Sequence, residues 1–194
     1  MLDLPDIDID LADRDQLLKQ IKHVPAAIRG EGKEESKHNT GVYTVDIPVN
    51  PIDTWAAFDY KRAEQLGYFK LDILNVGVYT LVRDRAHLEQ LLKREPDWSQ
   101  LWLDPGFSEQ IIHINGYSQL LKSMQPDSLP RIAAFISIIR PGKSHLQYKP
   151  WSEVFASVWD GDTSKGYTFK RAHAISYAML VKVHINVLQE QLHA

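Results

Sequence analysis

A strict alternation of acidic and aliphatic residues near the start of the chain constrains the fold more than any other feature. Within residues 3–11, Asp6, Asp8 and Asp10 alternate with aliphatic residues. A period of two is typical of a β-strand with one buried face. Carboxylates that share a strand face repel one another, which raises their pKa values unless a cation lies between them. The alternative is a solvated edge strand whose acids prevent aggregation.

A second alternating segment, Tyr68–Leu74, places Lys70 and Asp72 on one face of another predicted strand. Same-face residues of a strand are roughly 6.5–7 Å apart at Cα, so Asp8 and Asp10 can converge on shared ions. Asp72 would then supply a third carboxylate, and Lys70 would neutralise a phosphate or assist proton transfer. We therefore predict a Mg²⁺ or Mn²⁺ site on Asp8, Asp10 and Asp72, with Lys70 as a further catalytic residue. Two such ions can clamp both oxygens of a phosphoryl transfer.

The remaining patterns predict strands mostly in the first half and helices mostly in the second, which indicates an α+β fold. We expect a domain over 1–95 that carries the acidic strands, and a helical region over 96–194 packed with it as one unit. The last helix should bury the face that carries Ile175, Met179, Val183 and Val187. The predicted elements are a helix capped by Asp13, an exposed loop over 29–40, a strand over Gly41–Val49, a helix from Asp53 to Gly67, helices over Val78–Arg94, Ser108–Met124, Pro130–Ile139 and Glu153–Trp159, a loop over Asp160–Gly166, and a helix over Arg171–Leu192.

Composition narrows the partners and the compartment. The chain has 194 residues, no cysteine and a net charge of −3, so any metal must be held by Asp, Glu or His. Nucleic acid would have to meet local basic clusters such as Lys170 and Arg171, which are alternatively solvated helix faces. The acidic start is unlike a signal peptide, and no apolar run is long enough to span a membrane. We expect a cytoplasmic protein of a bacterial or phage-infected cell, without membrane contact.

Five segments in order resemble the family C replicative polymerases, the catalytic alpha subunits of bacterial DNA polymerase III. They are PDIDID at 5–10, KHNTGVY at 37–43, GYFKLDIL at 67–74, NGYSQLLKSMQPDSLPRIAAFISIIRPG at 115–142 and YTFKRAHAISYAMLVKVHI at 167–185. The first resembles that family's palm strand with two metal-binding aspartates, here Asp8 and Asp10. The third resembles the strand with the third catalytic aspartate, here Asp72, preceded by a lysine, here Lys70.

The resemblance implies a polymerase palm-like sheet of the nucleotidyltransferase type, with a helical C-terminal half. It implies primer–template DNA and dNTPs as partners, together with a protein of the replication machinery. It also suggests substrate or DNA contacts at His38, Arg140, Lys170, Arg171 and His173. For His38 the alternative is a surface histidine without a role, and for His173 it is structural packing. For Arg140 the alternative is a cation favoured by a helix C-terminus.

This sequence also departs from the family pattern. No Gly-Ser turn for the triphosphate precedes the acidic strand, and only residues 143–166 stand where the family has a large insertion in its fingers. Our first hypothesis is a minimal polymerase palm, of bacterial or phage origin, that needs a partner for activity. The alternatives are a catalytically inactive palm relic that serves as a replication accessory, and a metal-dependent nuclease.

Overall fold

The acidic strand β1 (Ile7–Leu11) lies at one edge of a four-stranded mixed sheet. The computed structural model describes residues 7–30, 34–161 and 169–192. The sheet order is β1-β4-β3-β2, with β2 at Val24–Arg29, β3 at Glu35–Tyr43 and β4 at Leu71–Asn75. β1 runs parallel to β4, whereas β3 is antiparallel to both β4 and β2. The α+β class predicted from the sequence is therefore confirmed.

Aspartate side chains cap the first two helices. Asp13 accepts a hydrogen bond from the Gln16 N–H at 3.0 Å and starts α1 (Arg14–Leu18), as predicted. α2 (Tyr60–Gln65) follows Asp59, and Gly67 ends this region with a φ of 87°. The later helices are α3 (Arg85–Lys93), α4 (Gln100–Leu103), α5 (Pro105–Ser108), α6 (Ser118–Met124), α7 (Leu129–Ile138), α8 (Trp151–Ser157) and α9 (Arg171–Leu192), and 3₁₀ turns cover Gly77–Leu81 and Pro141–Leu146.

The chain divides into two compact units, Met1–Thr80 and Leu81–Ala194. The first contains the sheet with α1 and α2. The second is helical and is built around α9, which packs against α7 and α3. The division predicted at residue 95 assigns α3 to the first part. In the structure, α3 packs against α9 and lies in the second unit. None of the helices within the described ranges has the length and apolar composition needed to cross a bilayer.

Several predicted element bounds are wrong. Much of the polar segment 29–40 is strand, because β2 and β3 pair through it, and β3 ends at Tyr43 rather than at Val49. The helix predicted from Asp53 begins only after Asp59, and the segment Val78–Arg94 is a 3₁₀ turn followed by α3. The segment Ser108–Met124 is interrupted, since His113 and Gly116 adopt positive φ angles of 69° and 82°. Most of the predicted loop over Asp160–Gly166 lies outside the described residues.

Helix α9 has the predicted bounds, but only Val183 and Val187 of the predicted face are buried. Ile175 and Met179 are 38% and 40% exposed, whereas Ala174 and Ala178 are fully buried. These alanines join the apolar cluster that includes α7. The distance between packed helices depends on the side chains at the contact, so the small residues favour a close approach there.

Asn186, a fully buried amide on α9, connects this helix to α3. Its Nδ2 donates to the carbonyl oxygens of Leu91 and Arg94, at 2.8 and 2.9 Å. Its Oδ1 accepts from Nε of Arg94 at 3.1 Å. One side chain thus satisfies two carbonyls near the C-terminus of α3, where helical partners are lacking.

We predict that Asn186→Leu lowers the free energy of unfolding by about 3 kcal/mol, because the buried carbonyls and the guanidinium lose their partner. Urea unfolding of the full chain measures this loss. Gln191→Leu is the matched control, since it makes the same chemical change at an exposed position of α9. It should alter stability by no more than about 0.5 kcal/mol. Equal effects of the two substitutions would contradict the assigned role of Asn186.

Candidate functional site

The parallel pairing of β1 with β4 places Asp8 directly beside Asp72. Adjacent residues in register point to the same face of a sheet, and so do alternate residues of one strand. Asp8, Asp10 and Asp72 therefore share a face, with Asp10 opposite Leu74. Asp6 lies outside the described residues. Two sequence segments about sixty residues apart thus bring three carboxylates to one part of the sheet.

The electrostatics of Asp10 reflect this crowding. Burial raises the pKa of Asp10, and the neighbouring Asp8 carboxylate raises it further. Tyr79, in the turn after β4, has a pKa raised by burial and by the Asp10 carboxylate. Both shifts indicate that negative charge at Asp10 is incompletely compensated.

Asp72 has hydrogen-bonded partners on both of its oxygens. Oδ2 forms an ion pair with Nζ of Lys70, and Oδ1 accepts a hydrogen bond from the Thr40 hydroxyl at 2.8 Å. Both side chains of the ion pair are 14% exposed, so water screens the pair only partly. The Lys70 ammonium also lies 5.6 Å from the centre of the Tyr60 ring. Asp72, which the sequence predicts as a metal ligand, is thus paired with Lys70 in this structure.

His38 lies in a wide bulge of β3 rather than in a loop. Pro25 pairs with Val42, and Ala27 pairs with Lys37. The two pairs are two residues apart on β2 but five residues apart on β3, so the additional β3 residues form the bulge. Nδ1 of His38 accepts hydrogen bonds from the Thr40 and Gly41 N–H groups at 3.2 and 2.9 Å, so its proton resides on Nε2. The 3.9 Å approach of Nδ1 to Asp72 is therefore a contact of a neutral ring. Burial and Lys70 lower the pKa of His38, although Asp72 opposes them.

Gly41 closes the bulge directly opposite Asp72. A Cβ atom there would lie 2.7 Å from Cδ of Lys70, 3.1 Å from Cβ of Ala26 and 3.1 Å from Nδ1 of His38. No side chain fits this space without displacing its neighbours. The His38–Gly41 bulge, Lys70 and Asp72 consequently form one packed arrangement.

Arg14 is a neighbour of this arrangement that sequence reasoning missed. Its Nη2 donates to the Thr40 carbonyl at 3.5 Å, and its backbone N–H donates to Oδ1 of Asn75 at 2.6 Å. Its Nε is buried without a hydrogen-bond partner in the described part of the chain. A cation at the first position of a helix opposes the helix dipole, and this anomaly is the signal that could have revealed Arg14.

Within the described ranges, no group of three or more His, Asp or Glu side chains is arranged as a ready metal site. The carboxylates are of the chemical type that Mg²⁺ and Mn²⁺ prefer. The Lys70–Asp72 ion pair would have to open before Asp72 Oδ2 could bind an ion. The metal ligands therefore remain a prediction.

The other predicted contact residues lie in the second unit. Arg140 follows α7, and its guanidinium lies 4.8 Å from the centre of the Phe169 ring. Lys170 and Arg171 stand at the start of α9, as predicted. His173, in the first turn of α9, lies edge-on to Phe169 with ring centres 6.1 Å apart. The structure thus brings Arg140 and His173 to one aromatic ring.

His113 belongs to the same unit and was not singled out by sequence. Its ring lies 4.2 Å from that of Tyr177, and its Nε2 is buried with no hydrogen-bond partner among the described residues. Burial, followed by the nearby Arg140 cation, lowers the pKa of His113 to about 4. The imidazole is therefore neutral in the folded protein at physiological pH.

We predict that Gly41→Ala lowers the free energy of unfolding by about 1–3 kcal/mol, because overpacking displaces Lys70 and the bulge. Chemical denaturation measures the change. Gly77→Ala is the control, since a Cβ there meets nothing within 4 Å. An unchanged stability of Gly41→Ala would show that the bulge accommodates a side chain.

We also predict that His113 contributes to acid destabilisation. A histidine whose folded pKa is depressed gives stability that is present above its unfolded pKa, 6.5, and is lost as the pH falls towards about 4. His113→Asn should therefore flatten the pH dependence of stability between these values. Asparagine tolerates the positive φ of this position, and His145→Asn, at an exposed site, is the control. Parallel pH profiles for His113→Asn and the unmodified protein would contradict this assignment.

Comparison with known proteins gives one distant similarity. The chain is 24% identical over 147 residues to DNA polymerase III subunit alpha of Aquifex aeolicus (strain VF5). The match covers 64% of this chain but only 13% of that protein. No protein-family model matches the chain, and no solved structure matches it. The comparison supports, at most, a distant relation to a small part of a DNA polymerase III alpha subunit.

Proposed function

We propose that the first unit is a metal-dependent nucleotidyltransferase centre of the polymerase palm type, related to that of DNA polymerase III alpha. Its substrates would be primer–template DNA and dNTPs, and a replication protein would supply further elements of the active site. The observation that carries this proposal is the register of β1 and β4, which sets Asp8 beside Asp72. The distant similarity to a polymerase subunit adds independent support.

The carboxylates fit a divalent cation in their chemistry and their charge. Asp8, Asp10 and Asp72 would hold Mg²⁺ or Mn²⁺. Burial and then the Asp8 carboxylate raise the pKa of Asp10, and a cation would offset both effects. When bound, such ions would activate the attacking hydroxyl and neutralise the charge of the phosphate. The Thr40 hydroxyl would keep Asp72 oriented through Oδ1 while Oδ2 turned to the ion.

Lys70 would have a second role in this scheme. An ion at Asp72 would displace the Lys70 ammonium, which already lies near the Tyr60 ring. The freed ammonium could then donate a hydrogen bond to a phosphate oxygen of the substrate. The neutral His38 ring, with its proton on Nε2, could donate another. Neither the Lys70 ammonium nor the neutral His38 ring carries a negative charge that would repel a phosphate.

The alternative is a non-catalytic accessory derived from a palm. The engagement of both Asp72 oxygens by Lys70 and Thr40 favours it, because the carboxylate is satisfied without a metal. A protein of this kind would bind a replication partner or DNA but would not respond specifically to divalent ions.

The test combines ion-dependent stability with primer extension by the purified chain. At an ion concentration a hundredfold above Kd, binding should stabilise the protein by about 2.7 kcal/mol and raise its Tm. Extension in Mg²⁺ or Mn²⁺ should be slow for the chain alone and faster with its partner. Asp72→Asn should reduce it at least about 100-fold, since loss of even an outer-shell partner of a metal site costs 10–100-fold.

Asp46→Asn is the matched control, since this carboxylate is 92% exposed and, within the described part of the chain, forms an ion pair with Lys22 alone. It should retain both the thermal response and extension. Absence of both in the unmodified protein, with or without replication extracts, would instead support the accessory alternative. Shortening of the primer that depends on Asp72 would indicate a nuclease.

A further inference from the structure

The second unit has an apolar groove between α7, α8 and α9 that has no part in the proposed chemistry. Its cavity has a volume of about 180 Å³ and is lined by Leu129, Pro130, Ala133, Phe155, Trp159, Arg171 and Ile175. Six of these seven side chains are apolar. Phe155 and Ile175 are 40% and 38% exposed, so part of this apolar lining faces solvent.

Beside the groove, one face of α9 is accessible to solvent. Arg171, Ile175 and Met179 are spaced four residues apart and therefore lie in a row on the helix surface. Met179 is 40% exposed, like Ile175. The row thus presents a cation at one end and two accessible apolar side chains beyond it.

Arg171 gives this surface a charge preference. Its guanidinium lies over the Trp159 ring at 5.9 Å, which holds it at the groove. In the described part of the chain it has no carboxylate partner, unlike Arg131, which pairs with Asp127 at 2.9 Å. A ligand that buried apolar groups in the groove would gain further from a carboxylate placed at Arg171.

We propose that this groove binds a short amphipathic helix of another protein, one that carries two apolar anchors and an acidic residue. Helices that bind in grooves insert apolar side chains spaced three or four residues apart, which matches the row on α9. Single-stranded nucleic acid fits less well, since it requires a basic track and free aromatic faces. This lining has one cation, and that cation covers the face of Trp159.

The test is a selection of displayed 12-residue random peptides on the full chain, followed by binding measurements with synthetic copies of the enriched peptides. Enriched peptides should share two apolar positions three or four residues apart and one Asp or Glu. Ile175→Asp should weaken their binding at least tenfold. Leu103→Asp, at an apolar position that is 73% exposed outside the groove, should leave it unchanged.

Charge reversal tests the position of the acid. Arg171→Glu should weaken binding of the acidic peptide and restore binding of a variant peptide in which lysine replaces the acid. Lys122→Glu, at another exposed cation of the same unit, should do neither. Failure to enrich any peptide, or enrichment insensitive to Ile175→Asp, would overturn the proposal. So would competition by single-stranded DNA, or self-association of the chain that is abolished by Ile175→Asp.

Discussion

The ion pair of Lys70 with Asp72 organises the candidate site. Both residues belong to the β4 segment, and Gly41 on the neighbouring strand β3 leaves space for the lysine stem. Burial strengthens such a pair but also makes each charge costly to leave alone. The Thr40 hydroxyl and the His38–Gly41 bulge therefore belong to the same arrangement, since they support the Asp72 carboxylate from the other side.

The same pair links stability to the proposed chemistry. With Lys70 paired to Asp72, the chain can fold without a metal ion. A metal ion bound at the same carboxylate oxygen would require the lysine to leave. The site would exchange one positive charge for another without leaving Asp72 uncompensated. Asp10 differs, because burial and Asp8 raise its pKa and no described cation offsets them. Asp10 is therefore the carboxylate for which an added ion would change the electrostatics most.

The second unit depends on a different kind of contact, in which polar groups on α9 satisfy the backbone of its neighbours. Asn186 binds carbonyls near the end of α3, and Nδ1 of the buried His184 accepts the Ile112 N–H at 3.1 Å. Buried amide and imidazole groups specify which surfaces meet, since a shifted register would leave them unpaired.

The sequence by itself determined the local features of the protein. Alternation identified the strands around Asp8 and Asp72, a short acid marked the cap of α1, and the composition of α9 gave its bounds. These predictions succeed because periodicity and capping depend on neighbouring residues.

Predictions failed where distant segments competed with local preference. Residues 35–40, predicted as part of a loop, are strand because pairing with β2 satisfies their backbone, and α9 turns its alanines rather than Ile175 towards α7. Only the tertiary structure decided that Asp8 stands in register with Asp72, that His38 reaches the same carboxylate through a bulge, and that Arg14 lies beside them. Strand register and bulges arise from hydrogen bonds between residues far apart in the chain, which no local pattern encodes.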